Sequence, residues 1–172
     1  MNHDAYDEDY IRGILMGVKS VAIVGASENP VRPSYFVVKY LIAKGYKVFP
    51  VNPGLAGKTL LGVKCYGSLN DIPEPVDMVD VFRNSEAALA IAKDAIAIGA
   101  KVLWMQLTVR NDEAAALAEA AGLKVVMNRC PKIEYGRLSG EIGWAGVNSG
   151  SISNSRGKLG AVGMQNRVLG KQ

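Results

Sequence analysis

Five short apolar runs recur along the chain, separated by segments in which apolar residues repeat at helical spacing. The runs are residues 20–24, 47–51, 76–82, 101–105 and 123–127. None of them alternates cleanly between polar and apolar positions, as a strand with one solvent-facing side would. The runs therefore predict five strands that are covered on both faces.

Helices are predicted before the first strand and between later strands. They cover residues 7–18 and 33–44, run from a cap at Asn84 or Ser85 to residue 98, and run from a cap at Asn111 or Asp112 to residue 121. Pro33 suits a first helical turn, where a backbone N–H has no partner, and glycines follow three of these helices. Residues 53–72 are predicted to form a long connection with at most one short strand near residues 63–65.

Strands that alternate with helices favour a parallel sheet with helices on both faces. We predict an α/β fold, a doubly wound, mainly parallel five-stranded Rossmann-like sheet with strand order 3-2-1-4-5. Residues 1–138 are assigned to this domain, with residues 1–19 as an N-terminal helical extension. Residues 139–172 form a Gly/Ser-rich C-terminal extension, either ordered on the sheet edge or partly flexible.

Composition narrows the class of protein. Hydrophobic residues make up 49% of the 172 residues, which is enough for one well-filled core. The acidic first residues and the lack of a long apolar run argue against a secretory signal and a membrane span. Cys65 and Cys130 lie far apart and form no CxxC motif, which argues against a zinc site and a disulfide scaffold. The net charge is +4, but the basic residues form no run, which argues against nucleic-acid binding. We therefore expect a cytoplasmic protein that binds neither membrane nor nucleic acid.

Small and polar residues follow the first predicted strand. In an open parallel sheet, ligands bind outside the carboxyl ends of the strands. Gly25 permits a tight turn there, Ser27 offers a hydroxyl, and the helix that begins at Pro33 directs unpaired N–H groups to the same place. A phosphate group would fit this position. The alternative is that the segment VGAS is an ordinary strand-to-helix turn.

Two common nucleotide motifs are absent. The NAD fingerprint requires G-x-G-x-x-G and an acid at the end of the second strand, whereas this loop has one glycine and the second strand ends in Asn52-Pro53. A Walker A loop requires G-x-x-x-x-G-K-[ST], and Gly57-Lys58-Thr59 lacks the first glycine at the required spacing. The sequence therefore favours neither NAD binding nor ATP hydrolysis.

A resemblance to a known family is carried by four segments: VAIVGASENPVRPSYFVVKYLIAKGYKVFPVNP, GKTLLGVKCYGSLNDIPEPVDMVDVFR, VLWMQL and VVMNRCPKIEY. Together they resemble the stand-alone CoA-binding protein family, which is similar to the amino-terminal domain of the succinyl-CoA synthetase alpha subunit. The resemblance covers roughly residues 20–138. It implies a Rossmann-like fold that holds coenzyme A at the carboxyl ends of the strands.

The resemblance also implies a set of cofactor-binding residues. By the pyrophosphate it would place Gly25, Ala26, Ser27, Arg32 and Ser34. Around the adenosine and its 3′-phosphate it would place Asn52, Pro53, Lys58, Phe82 and Arg83. The pantetheine arm would then run along a groove towards Gln106 and Cys130.

The charges of the sequence are consistent with this ligand. Coenzyme A carries a pyrophosphate and a ribose 3′-phosphate, so its site needs backbone N–H groups and separate cations, which Arg32, Arg83, Lys58 and Arg129 can supply. An acid at the end of the second strand would repel the extra phosphate. Each cation also has a structural alternative: Arg32 as a solvated side chain, for example, or Arg129 in an ion pair with Glu134.

The sequence favours binding over catalysis. Its single histidine, His3, is expected in a mobile terminus, so neither a Ser-His-Asp nor a Cys-His arrangement has a base. Cys130 is the one candidate nucleophile, although such a cysteine is more often a small packed residue. We therefore expect a non-enzymatic protein that binds coenzyme A or acyl-CoA.

Two other functions stay open at this stage. The first is an NAD(P)-dependent oxidoreductase, for which no hydride-transfer partner group can be named. The second is a CoA-sensing regulatory or interaction subunit of a partner enzyme. The helix at residues 33–44 is apolar almost all round, so it is either buried between the sheet and the tail or available for self-association as a homo-oligomer.

Overall fold

The computed structural model describes residues 1–140 of the chain and contains a five-stranded parallel sheet with helices on both faces. The strands are β1 (Ser20–Val24), β2 (Lys47–Val51), β3 (Thr59–Leu60), β4 (Val63–Lys64), β5 (Met78–Val81), β6 (Val102–Met105) and β7 (Lys124–Val126). The helices are α1 (Glu8–Gly17), α2 (Pro33–Ala43), α3 (Ala88–Ala97), α4 (Asp112–Ala120) and α5 (Pro131–Ser139). Strands β3 and β4 form a separate antiparallel hairpin in the connection between β2 and β5.

The predicted α/β class and the doubly wound, parallel, five-stranded Rossmann-like sheet are confirmed, but one strand lies elsewhere than expected. The order is β2-β1-β5-β6-β7, which is 2-1-3-4-5 when the five sheet strands are counted along the chain. The predicted order 3-2-1-4-5 placed the third strand outside β2. The third strand, β5, instead pairs with β1, where Ile23 faces Asp80.

The outer edge of β2 has no room for another strand because the connecting segment covers it. The Tyr66 N–H donates to the Pro50 carbonyl at 2.9 Å, and the Tyr66 carbonyl accepts from the Asn52 N–H at 2.9 Å. Pro50 cannot donate a ladder hydrogen bond, and proline within a sheet is confined to edge strands. This proline was the signal in the sequence that β2 is an edge strand.

Each face of the sheet carries its own layer of helices. Residues of α1, α2 and α5 pack with Ile23, Met78 and Trp104 on one face. Residues of α3 and α4 pack with Val79 and Leu103 on the other face. Successive strand residues point to opposite faces, so a sheet that is covered on both sides needs apolar residues at every position. This explains why the strands are almost entirely apolar, with the buried Asp80 of β5 as an exception.

The ends of the elements follow local chemistry. The Asn111 side chain caps α4 by accepting from the Ala114 N–H at 2.8 Å, and Asn84 caps a short 3-10 turn before α3 by accepting from the Ala87 N–H at 3.2 Å. Each of these residues was one of the two alternatives predicted for its cap. Helix α5 was not predicted, although Pro131 occupies its first turn and Gly140 follows it with a φ of +80°.

Helix α2 is buried on two sides, as its composition suggested. It packs on β2 and on α5, and its buried residues include Val37, Val38 and Leu41. Self-association through α2 stays a prediction. Helix α1 packs against α5 and buries Ile14 and Leu15. The C-terminal extension, residues 139–172, lies outside the described residues except for Ser139 and Gly140.

Two further sequence expectations concerned membrane-spanning helices and the mobility of His3. Within residues 1–140, none of the helices has both the length and the apolar character that crossing a bilayer requires. The expectation that His3 is mobile is wrong: its side chain is buried, its Nδ1 lies 2.9 Å from the Tyr6 hydroxyl, and burial lowers its pKa.

Candidate functional site

The strand order defines where a ligand can enter the sheet. From β1 the chain moves outwards to β2, then returns to the opposite side of β1 to form β5, so the order reverses between β1 and β5. In doubly wound sheets, ligands bind at this switch point, outside the carboxyl ends of the strands. Gly25 follows β1 and Phe82 follows β5, so these two residues mark the switch point.

Gly25 is required by the packing of this turn. Its φ is +92°, and a Cβ on residue 25 would lie 2.4 Å from the Phe82 carbonyl oxygen. Its N–H donates to the Val51 carbonyl at 2.9 Å, which links the turn to the end of β2. The backbone after β1 therefore touches both neighbouring strands, and no residue with a side chain fits there without movement.

The segment from Gly25 to Arg32, here the Gly25 loop, is held by its own polar groups. The Asn52 Nδ2 donates to the Ala26 carbonyl at 2.7 Å, while its Oδ1 accepts from the Gly54 N–H at 2.9 Å. Ser27 Oγ accepts from the Asn29 N–H at 3.2 Å. Both ends of the Asn52 amide thus bind the protein, so this side chain shapes the loop.

Helix α2 begins where the Gly25 loop ends. Arg32 occupies the cap position without a side-chain cap hydrogen bond, Pro33 is in the first turn, and that turn contains no acidic residue. Ser34 is buried and Arg32 is exposed. The positive end of the helix dipole is therefore free of a competing carboxylate from its own first turn, which suits an anion.

A cleft of about 520 Å³ opens beside this helix. Its lining comes from α2, from the residues that follow β5 and β6, and from the start of α5, and it includes Phe36, Phe82, Arg83, Gln106, Cys130 and Ile133. Three predicted site residues, Phe82, Arg83 and Gln106, are thus brought together with Cys130. The volume lies within the range of about 300 to 1,000 Å³ that is usual for small-molecule sites.

The other predicted site residues lie outside the lining of the cleft. Gly25, Ala26 and Ser27 form the adjacent turn, Arg32 and Ser34 begin α2, and Asn52, Pro53 and Lys58 lie at and beyond the end of β2. Lys58 is exposed, and its Nζ lies 3.7 Å from Glu28 Oε1 on the Gly25 loop. Their ligand contacts stay predictions.

Apolar side chains surround the mouth of the cleft. Val31, Phe36 and Leu107 line it and are among the most exposed large apolar residues of the described chain, with 76%, 49% and 48% of their surface accessible. They were not predicted from the sequence, because composition alone does not distinguish an exposed apolar residue from a buried one. Lys132, also not predicted, lines the cleft as well.

Asp80 is a second feature that was not predicted from the sequence. It lies in β5, is fully buried, and accepts from Gln106 Nε2, which is 2.9 Å from each carboxylate oxygen. Burial raises the pKa of Asp80 to about 8, although the hydrogen bond from Gln106 acts in the opposite direction. An acid inside the apolar run MVDVF was the available signal, since a charge in a strand covered on both faces is rare.

Cys130 and Arg129 follow β7 and differ in their surroundings. Cys130 is buried at the start of α5, and burial raises the pKa of its thiol. Arg129 does not line the cleft: its guanidinium lies over the Tyr6 ring at 5.6 Å, and its Nε is 3.9 Å from Glu134 Oε1. The ion pair with Glu134, which was the structural alternative for Arg129, is therefore present.

A family model for a CoA binding domain matches residues 19–136, which include β1 to β7 and most of α5. The chain belongs to this family. The match begins just before β1 and covers the Gly25 loop and the residues named here that line the cleft. Within residues 1–140 there is no cluster of three or more His, Cys, Asp or Glu side chains that could hold a metal ion.

Relatives of similar length and larger enzymes both match the chain. An uncharacterized protein of Bacillus subtilis, YneT, is 38% identical over 73% of this chain and 91% of its own. The solved structure of a hypothetical protein from Pyrococcus horikoshii matches with 42% sequence identity and a TM-score of 0.75. The match covers 80% of this chain and 95% of that chain. Acetate–CoA ligase [ADP-forming] II of Archaeoglobus fulgidus is 44% identical over 35% of this chain, but this covers 9% of the ligase.

Proposed function

We propose that the protein binds coenzyme A and its acyl thioesters reversibly and catalyses no reaction on them. The observation that carries this proposal is the cleft beside the switch point between β1 and β5, where the Gly25 loop leads into α2. Membership of the CoA-binding domain family supports the same ligand. In open parallel sheets, ligands generally bind at this switch point, which supports the same position.

The phosphates belong at the Gly25 loop and the beginning of α2. The pyrophosphate oxygens accept hydrogen bonds from the unpaired N–H groups at the beginning of α2, and the positive end of the helix dipole stabilises their charge. Arg32 and Arg83 form no ion pair with any of residues 1–140, so their charges are available to phosphate. Lys58 faces Glu28 across the loop and is a weaker candidate. Asn52 and Pro53 border the adenosine, and Asn52 acts by holding the loop.

The pantetheine arm lies in the cleft. An arm of methylene, methyl and amide groups suits a groove with apolar walls and few polar groups. The arm runs from Arg83, next to the Gly25 turn, towards Gln106 and Cys130. An acyl chain attached to the sulfur meets the apolar side chains at the mouth, such as Phe36 and Leu107.

The side chains of the cleft support binding without chemistry. Among the described residues that line it there is no histidine, and His3 packs against Tyr6 instead. The raised pKa of Cys130 keeps its sulfur as a thiol at neutral pH, and the thiol is a much weaker nucleophile than the thiolate. Neither an activated nucleophile nor a general base for it is assembled among these residues.

Isothermal titration calorimetry of the purified protein tests the proposal. We expect coenzyme A and acetyl-CoA to bind with comparable affinity, NAD and NADP to bind much more weakly or without detectable heat, and CoA binding to weaken as salt rises. Acetyl-CoA should be recovered intact after prolonged incubation. Binding of NAD or NADP in preference to CoA would contradict the proposal, and so would turnover of the thioester.

Removal of the Arg83 charge tests the role of the cations. Arg83→Gln is expected to weaken CoA binding at least tenfold, because a charge-assisted hydrogen bond contributes about 1.5 to 3 kcal/mol. If Arg83 holds the 3′-phosphate, dephospho-CoA binds the variant and the wild type alike, as calorimetry can measure. Lys93→Gln, on the exposed surface of α3, is the matched control and should leave CoA binding unchanged. Equal losses in both variants would show that only net charge matters.

A further inference from the structure

The apolar mouth of the cleft is a feature that binding of coenzyme A itself does not require. Val31, Phe36 and Leu107 come from three separate elements, the loop after β1, α2 and the turn after β6, yet all three line the same cleft. Of the five exposed large apolar side chains in the described part of the chain, three lie here. Single exposed apolar residues are ordinary, but a group of them around one cavity indicates a binding surface.

The turn after β6 holds Leu107 in this exposed position at a cost. Thr108 has a φ of +69° and Asn128 has a φ of +54°. The Thr108 N–H donates to Asn128 Oδ1 at 2.8 Å, and the Asn128 N–H donates to the Val109 carbonyl at 3.2 Å. A positive φ is unfavourable for a β-branched residue such as threonine, and strain of this kind is found most often at functional sites. The exposure of Leu107 is therefore fixed by the backbone.

The charges of the cleft limit what can occupy its mouth. None of the described residues that line the cleft is acidic, and its charged side chains are Arg83 and Lys132. Arg83 lies beside the turn after β1, at the phosphate end, and Lys132 Nζ lies 5.7 Å from the centre of the Tyr40 ring. Most of the other lining side chains are apolar. The cleft therefore suits an uncharged apolar group that is joined to an anion.

The shape of the mouth favours a chain over a protein surface. A specific protein interface typically buries about 800 Å² of each partner, which three side chains around a cavity do not supply. A narrow group that enters the cavity can instead contact Phe36 and Leu107 from opposite walls, since these residues belong to α2 and to the turn after β6. Concave sites with apolar walls are typical of small-molecule ligands.

The acyl group of a CoA thioester is the apolar group that reaches the mouth from inside the cleft. In the proposed function the arm ends beside Cys130, which lines the cleft together with Phe36 and Leu107. An acetyl group adds only a methyl group beyond the thioester carbonyl, whereas an octanoyl group adds six further methylene groups. We propose that the mouth binds the hydrocarbon chain of medium-chain acyl-CoA, so that the protein selects these thioesters over free CoA and acetyl-CoA. This inference rests on the proposed function.

Calorimetry of the full chain with thioesters of increasing length tests the inference. The ligands are CoA, acetyl-CoA, butanoyl-CoA, octanoyl-CoA and succinyl-CoA. A methylene group buried on one side by a groove contributes about twofold in affinity, so octanoyl-CoA should bind at least tenfold more tightly than acetyl-CoA, with butanoyl-CoA between them. Succinyl-CoA should bind no more tightly than acetyl-CoA. Equal affinities along the series, or tightest binding of succinyl-CoA, would overturn the inference.

Two variants test the side chains of the mouth. Phe36→Gln and Leu107→Gln each replace an exposed apolar side chain by a polar one. Each is expected to lower the ratio of octanoyl-CoA affinity to acetyl-CoA affinity at least threefold. Leu117→Gln is the matched control, because Leu117 is an exposed leucine on α4 that does not line the cleft, and it should leave the ratio unchanged. An equal fall of the ratio in the control would overturn the inference.

The outcomes separate this inference from the proposed function. If CoA and acetyl-CoA bind but chain length has no effect, the inference alone is overturned. If chain length has no effect and sedimentation shows a dimer that Phe36→Gln converts to a monomer, the mouth is an interface between two copies, and the inference is again overturned. If no CoA compound binds, the proposed function fails and the inference fails with it. Should a variant not fold, the ligand series on the wild type still decides.

Discussion

Gly25→Ala is expected to lower the free energy of unfolding by about 3 kcal/mol and to weaken CoA binding at least tenfold. The alanine Cβ would lie 2.4 Å from the Phe82 carbonyl oxygen and 3.0 Å from Arg83 Cδ, so the ends of β1 and β5 must move apart. A positive φ costs a residue with a side chain about 1 to 2 kcal/mol, and overpacking typically costs about 1 to 3 kcal/mol more. Urea unfolding and calorimetry with CoA measure the two effects.

Gly122→Ala separates the two causes of this loss. Gly122 has a φ of +88°, close to the +92° of Gly25, but apart from its own chain neighbours no atom lies within 4 Å of the position that a Cβ would take there. This control should cost about 1 to 2 kcal/mol, the cost of the positive φ alone, and leave CoA binding unchanged. The difference between the two variants isolates the contact with Phe82. Equal destabilisation, or normal CoA binding by Gly25→Ala, would mean that the close approach at the switch point is unimportant.

The sequence predicted the elements of the fold well because their signals are local. Apolar runs, the caps at Asn84 and Asn111, and the glycines after three of the predicted helices depend on neighbours within a few positions. Strand order depends on pairing between distant segments, which periodicity does not report. Pro50 was an exception, since a proline in a strand limits that strand to an edge, and it would have excluded the order 3-2-1-4-5.

In the candidate site, too, local features could be predicted from the sequence and contacts between distant residues could not. The tight turn at Gly25 and the open beginning of α2 could be predicted, because turn chemistry and helix termini are local properties. The resemblance assigned Asn52 to the ligand, but the hydrogen bond that its amide donates to the Ala26 carbonyl could not be predicted, because the two residues are distant in sequence. The pairing of Asp80 with Gln106 joins two strands whose adjacency periodicity does not reveal.

Asp80→Asn is expected to make the protein more stable than the wild type, by an amount that grows as pH rises from 5 to 8. Burial raises the pKa of Asp80 to about 8 in the folded protein, whereas the carboxyl of an unfolded chain has a pKa near 3.8. Between these values the folded state holds a proton that the unfolded state has lost. Wild-type stability therefore falls with rising pH, by up to about 1.4 kcal/mol per pH unit, and levels off above pH 8.

Asp77→Asn is the control with the opposite sign. Burial alone would raise the pKa of Asp77, but hydrogen bonds from Lys101 Nζ and from the Lys19 and Ser20 N–H groups lower it overall. Its stabilising contribution is present above the unfolded pKa and is lost only as pH falls through the lower folded value. Urea unfolding from pH 5 to 8 should show Asp77→Asn less stable than the wild type by a constant amount.

The wild type and Asp80→Asn should instead diverge across this pH range. Parallel curves would mean that Asp80 does not hold its proton in the folded state at these pH values. Divergence would show that burial, with no cation to offset it among residues 1–140, keeps the Asp80 carboxyl protonated in the folded protein.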